Sequence, residues 1–371
     1  MAGLYTKYFG DSRHSGYISG STAAAGELAW IRPIDEVGGQ AEARLVLSSG
    51  EIVIIDGMNE IFAFSPDGRR LWRRRKYYGT QVALQDGMLY YTTAGKKDRM
   101  EAVDLNNSVR LENFLIPDVG NRSYIVLFEP TEKGLIAQVQ YASQPDMGTA
   151  SFVVFHSPRK GFDYDWCRGF QRSQSPLVPL VSFEHRRLVT TIPWEAIVLD
   201  IDAAVPMPEP AARFPLPFKK GTAWVSCGAE GSLYWVGHDE QGLHLMVTDF
   251  GGNQIWSWSS ADNPAVPPLW PIAPPILSAK CAHILTREYL LALSQGKVLW
   301  RFALAQSALR ACTALADGTL LLTSGGTLYH LNEAGEILFD IKLDEPPVSA
   351  PVIDKNGRIY LAGPETLYAI D

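Results

Sequence analysis

Three observations predict an all-β fold, a single closed β-propeller of about eight four-stranded blades. First, a Gly turn followed closely by an aromatic returns down the whole chain: GELAW ends at Trp30, DGRRLW at Trp72, GGNQIW at Trp256, GKVLW at Trp300 and GEILF at Phe339, with weaker copies ending at Phe114, Trp166 and Phe214. A period of about 40–50 residues made of short strands marks a radial repeat architecture. Second, the runs between these motifs hold four to six apolar residues bounded by Gly, Asp and Asn, which favours strands over helices. Third, the last repeat stops one strand short, and a strand with the missing pattern stands near the N-terminus.

Each repeat reads as four strands, A to D. In the clearest copy, RLVLS, EIVIID, EIFAFS and RRLWR follow one another between Arg44 and Arg73. The turns use Asp67–Gly68 and, in the next copy, Asp86–Gly87, because Gly takes the positive φ that hairpin turns need. The following copies span 81–117, 124–170, 175–217 (the most degenerate), 222–260, 273–306 and 310–345. The last, 349–371, supplies three strands, and GELAWIR at 26–32 is expected to complete it, closing the ring and removing both sheet edges. Residues 1–25 form an N-terminal strap, so residues 1–371 make one domain despite a length that would allow two or three. The repeated aromatics Trp30, Trp72, Phe114, Trp166, Phe214, Trp256, Trp300 and Phe339 are expected to dock between neighbouring blades, each indole N–H reaching a backbone carbonyl.

A net charge of −7 argues against broad attraction to nucleic acid or an anionic membrane. The basic run Arg69 to Lys76 reads as the solvated outer strand of a blade. No eighteen-residue apolar run is present, so no membrane insertion is expected. Cys167, Cys227, Cys281 and Cys312 are widely spaced and form no C-x-x-C pair, which withholds support from zinc and redox motifs; Cys227 and Cys312 fall in apolar strand patterns, where buried thiols are common. The N-terminal MAGLYTKYFGDSRHSG has no apolar h-region, so the expected location is the cytoplasm, or the periplasm had a signal peptide been removed.

The stretches GRIYLAGPETLYAID, GTLLLTSGGTLYHLNEAGEILF, YLLALSQGKVLW and IFAFSPDGRRLW resemble the repeat GxxYxxxxxxxLYALDxxxGxxxW of quinoprotein-type (PQQ-like) β-propellers, and KYFGDSRHSGYISG is similar to the strap before the first Trp strand of such proteins. The resemblance covers nearly the whole chain. It implies the propeller fold, and it is shared by dehydrogenases, outer-membrane assembly lipoproteins and interaction scaffolds. The family's enzymes are implied to carry a vicinal Cys pair, a calcium site and a catalytic Asp. No two cysteines are adjacent here, and no Asp/Asn/Glu cluster suggests a hard-cation site.

Three functional readings follow. A quinone-dependent dehydrogenase, or a propeller binding a quinone or a sugar, is the alternative the resemblance offers. A lyase or hydrolase would use the central funnel. Of His14, His156, His185, His238, His244, His283 and His330, only His238, with Asp239, sits in a loop between strands B and C on the face where propeller ligands bind; no G-x-S-x-G elbow is present. The favoured reading is a non-catalytic protein-interaction scaffold within a multiprotein assembly, with no cofactor, no metal, no catalytic residue, and a monomeric propeller binding another protein. Its expected contact residues lie in the B–C and D–A loops: Arg32, Tyr77, Tyr78, Tyr124, Trp194, His238, and Trp270 within NPAVPPLWPIAPP. Tyr, Trp and Arg are frequent interface anchors, and proline lowers the ordering cost of a loop. Residues 141–150 are a second loop on this face, and 202–213 a C–D turn on the opposite rim.

Overall fold

Alternating apolar runs and tight turns dictate antiparallel hairpins, and the chain folds as a succession of them. The computed structural model describes residues 17–22, 25–34, 45–57, 59–76, 82–85, 87–92, 99–106, 110–115, 123–131, 134–141, 149–156, 164–171, 180–182, 187–192, 195–200, 210–218, 220–263, 269–305 and 310–371. Among these there is no helix, and the strands form eight sheets.

In chain order, strands A to D of sheet 1 are Leu45–Ser48, Val53–Asp56, Glu60–Phe64 and Arg70–Arg75; those of sheet 2 are Ala83–Gln85, Met88–Thr92, Arg99–Asp104 and Arg110–Leu115. Sheet 3 has Ser123–Thr131, Gly134–Tyr141, Thr149–His156 and Tyr164–Gln171, and sheet 4 has Leu180–Ser182, Arg187–Ile192, Glu195–Asp200 and Ala212–Pro215. Sheet 5 contains Lys220–Cys227, Leu233–His238, Leu243–Thr248 and Gln254–Ser259; sheet 6 contains Ile276–Leu277, Ala282–Leu285, Tyr289–Ser294 and Lys297–Ala303. Sheet 7 is built of Arg310–Leu315, Leu320–Ser324, Thr327–Leu331 and Ile337–Lys342. The degenerate 175–217 stretch is therefore a four-stranded sheet like the others.

Sheet 8 takes strands A to C, Val352–Ile353, Ile359–Ala362 and Thr366–Ile370, from the C-terminus and strand D, Leu28–Pro33, from the N-terminus. Trp30 pairs with Ala369 and Pro33 with Thr366, and Gly26 N and Glu27 N both donate to Asp371 O. Upstream, Tyr17–Ile18 adds a parallel fifth strand to strand A of sheet 7, with Ile18 fully buried; Thr22 Oγ1 then donates to Gly357 O of sheet 8 at 2.6 Å. Residues 17–22 thus tie sheet 7 to sheet 8, and strand D completes sheet 8.

Strands B and C are buried throughout in sheets 1, 6 and 8, apart from half-buried residues at the ends of C, whereas the D strands of sheets 1, 6, 7 and 8 consist of exposed and half-buried residues. Apolar faces of consecutive sheets therefore pack on each other, as in the shared cores of sheets 4 and 5, 5 and 6, and 6 and 7. One core unites residues of sheets 7, 8, 1 and 2. Across the sheet 8–sheet 1 junction, Lys355 Nζ pairs with Glu51 Oε1 at 2.8 Å, Lys355 N donates to Gly50 O, and Arg358 Nη1 donates to Pro66 O at 2.8 Å. A second junction device recurs near strand A: Ser226 Oγ donates to Pro275 O at 2.6 Å, and Thr313 Oγ1 to Pro351 O at 2.9 Å.

The repeated aromatic finds its partner in the next sheet. A Cβ placed on Gly68 would stand 3.0 Å from the Trp30 ring, one on Gly335 2.7 Å from Trp300, one on Gly252 2.5 Å from Phe214, and one on Gly26 3.0 Å from Phe339. Gly68 (φ 81°) and Gly335 (φ 79°) close three-residue turns, so both conformation and space demand glycine there. The first carbonyl of the same turn receives the indole N–H: Trp30 Nε1 donates to Pro66 O at 3.1 Å and Trp300 Nε1 to Glu333 O at 2.8 Å. The glycine and aromatic of the sequence motif thus meet between repeats, the ring of one sheet lying on the turn of the next.

Two aromatics depart from this expectation. The indole N–H of Trp72 is buried without a hydrogen bond among the described residues, although its ring packs on the core of sheets 1 and 2. Trp256 meets the Tyr234 ring edge-on at a centroid distance of 6.2 Å and contacts no turn glycine among the described residues. The physical reason is turn length: sheet 6 joins strands C and D through two residues, Gln295 (φ 47°) and Gly296 (φ 76°), one fewer than the turns that hold Trp30 and Trp300.

Candidate functional site

Of the residues proposed from sequence as contacts, His238 and Trp270 are brought together. Strand B of sheet 5 runs to His238, whose register partners are Lys220 and Leu243. The B–C turn closes through Asp239 N donating to Gly242 O at 3.0 Å, and Asp239 Oδ1 accepts from Gln241 N at 2.7 Å. The same carboxylate holds His244 Nε2 at 2.8 Å. Short polar side chains bonding backbone two residues on is what makes Asp a turn former.

The D–A segment starts beside this turn. Ser260 N donates to Leu243 O and Leu243 N donates to Ser260 Oγ, both at 2.9 Å, while Asn263 Nδ2 donates to Ser259 O at 2.8 Å. It ends fastened to sheet 6: Leu269 is buried, Pro271 bridges Thr286, and Ile272 N donates to Leu285 O at 3.0 Å. Between these anchors Trp270 is 57% exposed, and its ring lies over the His238 imidazole with centroids 3.8 Å apart and planes at 43°.

His238 does not sit in the B–C loop, as the sequence suggested. It ends strand B and is 6% exposed, because the ladder extends to it and Trp270 covers it. Its Nδ1 is buried with no hydrogen-bond partner among the described residues. Burial lowers its pKa; Asp239 opposes the shift and His244 adds to it, so the ring is neutral at neutral pH. The site is a rigid, half-open indole backed by an imidazole with one unused ring nitrogen, flanked by a carboxylate already committed to His244.

The remaining expected contacts distribute differently. Arg32 lies on strand D of sheet 8, where its guanidinium sits 5.4 Å from the Trp30 ring centre and its Nε donates to Gly68 O at 3.1 Å, so it serves the junction with sheet 1. Tyr77, Tyr78 and Trp194 lie outside the described residues. Tyr124, Phe114 and Trp166 enter only as strand positions, in sheets 3, 2 and 3. Strands end at Tyr141 and resume at Thr149, which brackets the second expected loop; residues 142–148 and 201–209 are outside the described residues. His244, His283 and His330 are strand residues.

Sequence reasoning missed a cavity of about 690 Å³ between sheets 5 and 6, lined by Trp256, Tyr234, Glu230 and Cys281 among others. The signal in the sequence is the turn one residue shorter in ALSQGKVLW, where other copies read AFSPDGRRLW and HLNEAGEILF.

The family described as outer membrane protein assembly factor BamB matches residues 286–371. No curated protein matches the chain. Among solved structures, a quinohemoprotein alcohol dehydrogenase from Pseudomonas putida HK5 is similar with a TM-score of 0.67 at 10% identity, over 99% of this chain and 80% of that one. BamB from Moraxella catarrhalis follows with a TM-score of 0.59 at 12% identity, over 92% and 97%, and Sqt1 from Saccharomyces cerevisiae with 0.62 at 11%, over 93% and 98%. These likenesses concern the fold. Over residues 286–371 the repeat read from the sequence is thus that of the PQQ-like β-propeller family, and along the rest of the chain the likeness is one of fold.

Proposed function

We propose that the eight sheets close into one ring and that this ring is a non-catalytic protein-interaction scaffold in a multiprotein assembly, binding its partner through the face of the B–C and D–A loops. The observation that carries this reading is Trp270, a large aromatic more than half exposed yet fixed on both sides, by His238 beneath it and by the Pro271–Thr286 bridge beside it. An exposed Trp held in place loses little entropy on binding and buries a large area, which is what an interface anchor requires. Closure of the ring is supported by the N-terminal strand in sheet 8 and by the Trp30–Gly68 and Arg358–Pro66 contacts between sheet 8 and sheet 1. The wide spacing of the four cysteines in the sequence favours a reducing compartment such as the cytoplasm.

The test is affinity capture of the tagged protein from its native cells, quantified beside Trp270→Ala. A stoichiometric partner retained by the wild type and lost from a variant with unchanged melting temperature is the expected result. Identical capture by both proteins would remove Trp270 from the interface. Capture of nothing by either would direct the reading to a ligand in the propeller, with quinones and sugars tested first.

A further inference from the structure

The cavity between sheets 5 and 6 lies at a junction that lacks the ring-on-glycine contact seen between sheets 4 and 5, 6 and 7, 7 and 8, and 8 and 1. At the junction of sheets 6 and 7, Trp300 lies on Gly335 and donates to Glu333 O. At the junction of sheets 5 and 6 the two-residue turn Gln295–Gly296 offers no such seat: a Cβ on Gly296 would meet only Ser257 O, at 3.0 Å. Trp256 is left as a wall rather than a plug, and about 690 Å³ stays open beside it, a volume in the range of small-molecule sites.

The lining has two characters. Its apolar part consists of the Trp256 and Tyr234 rings with Val247, Leu277 and Leu293. Its polar part holds one acid without a cationic partner: Glu230 accepts a hydrogen bond from Tyr234 Oη at 3.2 Å and forms no ion pair among the described residues. Burial, with the adjacent Glu230 carboxylate, holds the Tyr234 phenol protonated and therefore a donor. The cation of the lining, Lys280, is already paired with Glu333 of sheet 7. Deeper in, the Cys281 thiol lies 3.4 Å from His283 Nε2; His283 Nδ1 lies 3.3 Å from Ile276 O and donates to it, which leaves Nε2 to accept the thiol proton.

We propose that this cavity is a binding site for a small organic cation with a flat aromatic body: the body lies against the Trp256 and Tyr234 rings, and the ammonium group meets the Glu230 carboxylate. An aromatic body gains from apolar burial and ring contact, and the exposed Glu230 carboxylate at the rim selects the charge. The site is independent of the Trp270 face and of any partner bound there.

The test uses Cys281 as a reporter inside the cavity. The folded full-length protein is alkylated with iodoacetamide at mildly alkaline pH, and modification of Cys281 is followed by mass spectrometry with tryptamine or phenethylamine at up to about 5 mM, the weak end of specific affinities. The expected result is saturable protection by the amines, with the isosteric anion indole-3-acetate about threefold to fivefold weaker, as loss of one ion pair to an exposed carboxylate implies. Glu230→Gln should erase the preference for amine over acid. Ala279→Trp, an exposed position at the lining, should abolish protection without unfolding the protein. Failure of both amines to protect Cys281, protection as strong by the anion, or protection that survives Ala279→Trp would each overturn the proposal.

Discussion

The junctions of sheet 6 with its two neighbours are built from the same motif and end differently. Toward sheet 7, Trp300 seats on a three-residue turn, its N–H satisfied and its ring against Gly335. Toward sheet 5, Trp256 faces a two-residue turn and stands at the wall of a cavity beside Ile255, which is 56% exposed. The two tryptophans occupy the same place in their repeats. Their role is therefore set by the turn across the junction, not by their own strand. In a repeat protein each unit depends on its neighbour for its last layer of packing, so one residue more or less in a turn decides between a filled seam and a site.

The largest expected effect comes from removing the seated ring. Trp300→Ala should lower the unfolding free energy by about 3–4 kcal/mol, in the range of large-to-small aromatic deletions, while Trp256→Ala, already beside open space, should cost about 1 kcal/mol. Urea denaturation of the two variants side by side measures the difference, and equal losses would break the comparison.

His283 lies next to both junctions, bonded to Cys281 on one side and 5.5 Å from the Trp300 ring centre on the other. Complete burial pushes its pKa down to about 4 from the ordinary 6.5. The unfolded chain therefore takes up the proton first as pH falls, and stability drops between pH 6.5 and pH 4, remaining at the lower value below that. His283→Gln should shrink the loss of unfolding free energy between pH 7 and pH 4 by about 2–3 kcal/mol. An unchanged pH profile in the variant would show that other groups carry the acid sensitivity.

The smallest effect separates backbone strain from ring contact. Gly326 has φ 81° and open space around it, whereas Gly335 has φ 79° and a Cβ there would stand 2.7 Å from the Trp300 ring. Gly326→Ala should cost about 1 kcal/mol for conformation alone, and Gly335→Ala about 2 kcal/mol or more. Equal melting shifts would mean that the ring yields freely and contributes little to the seam.

Much of this was legible in the chain. Gly and aromatic recur at fixed spacing, so the repeat and its four strands could be read, and the short last copy pointed to GELAWIR, found as Leu28–Pro33 beside Thr366–Ile370. Trp270 could be picked out by its Pro-rich setting. What could not be read is what lies across a junction. No pattern within one repeat pairs His238 with Trp270, 32 positions on, or tells that His238 is covered. Arg32 reads as an exposed arginine, yet it is spent on Gly68 and Trp30. Local periodicity reports which face of a strand is buried; the identity of the neighbour and the length of its turn are tertiary facts.

The most direct test of the central claim, that turn length decides whether a junction is sealed, is to lengthen the sheet 6 turn. Replacing Gln295–Gly296 by the three-residue Glu-Ala-Gly turn of sheet 7 should seat Trp256, raise the melting temperature by about 1–2 °C, as about 1 kcal/mol does in a chain of this size, and slow alkylation of Cys281. An unchanged melting temperature with Cys281 alkylated as before would contradict the account.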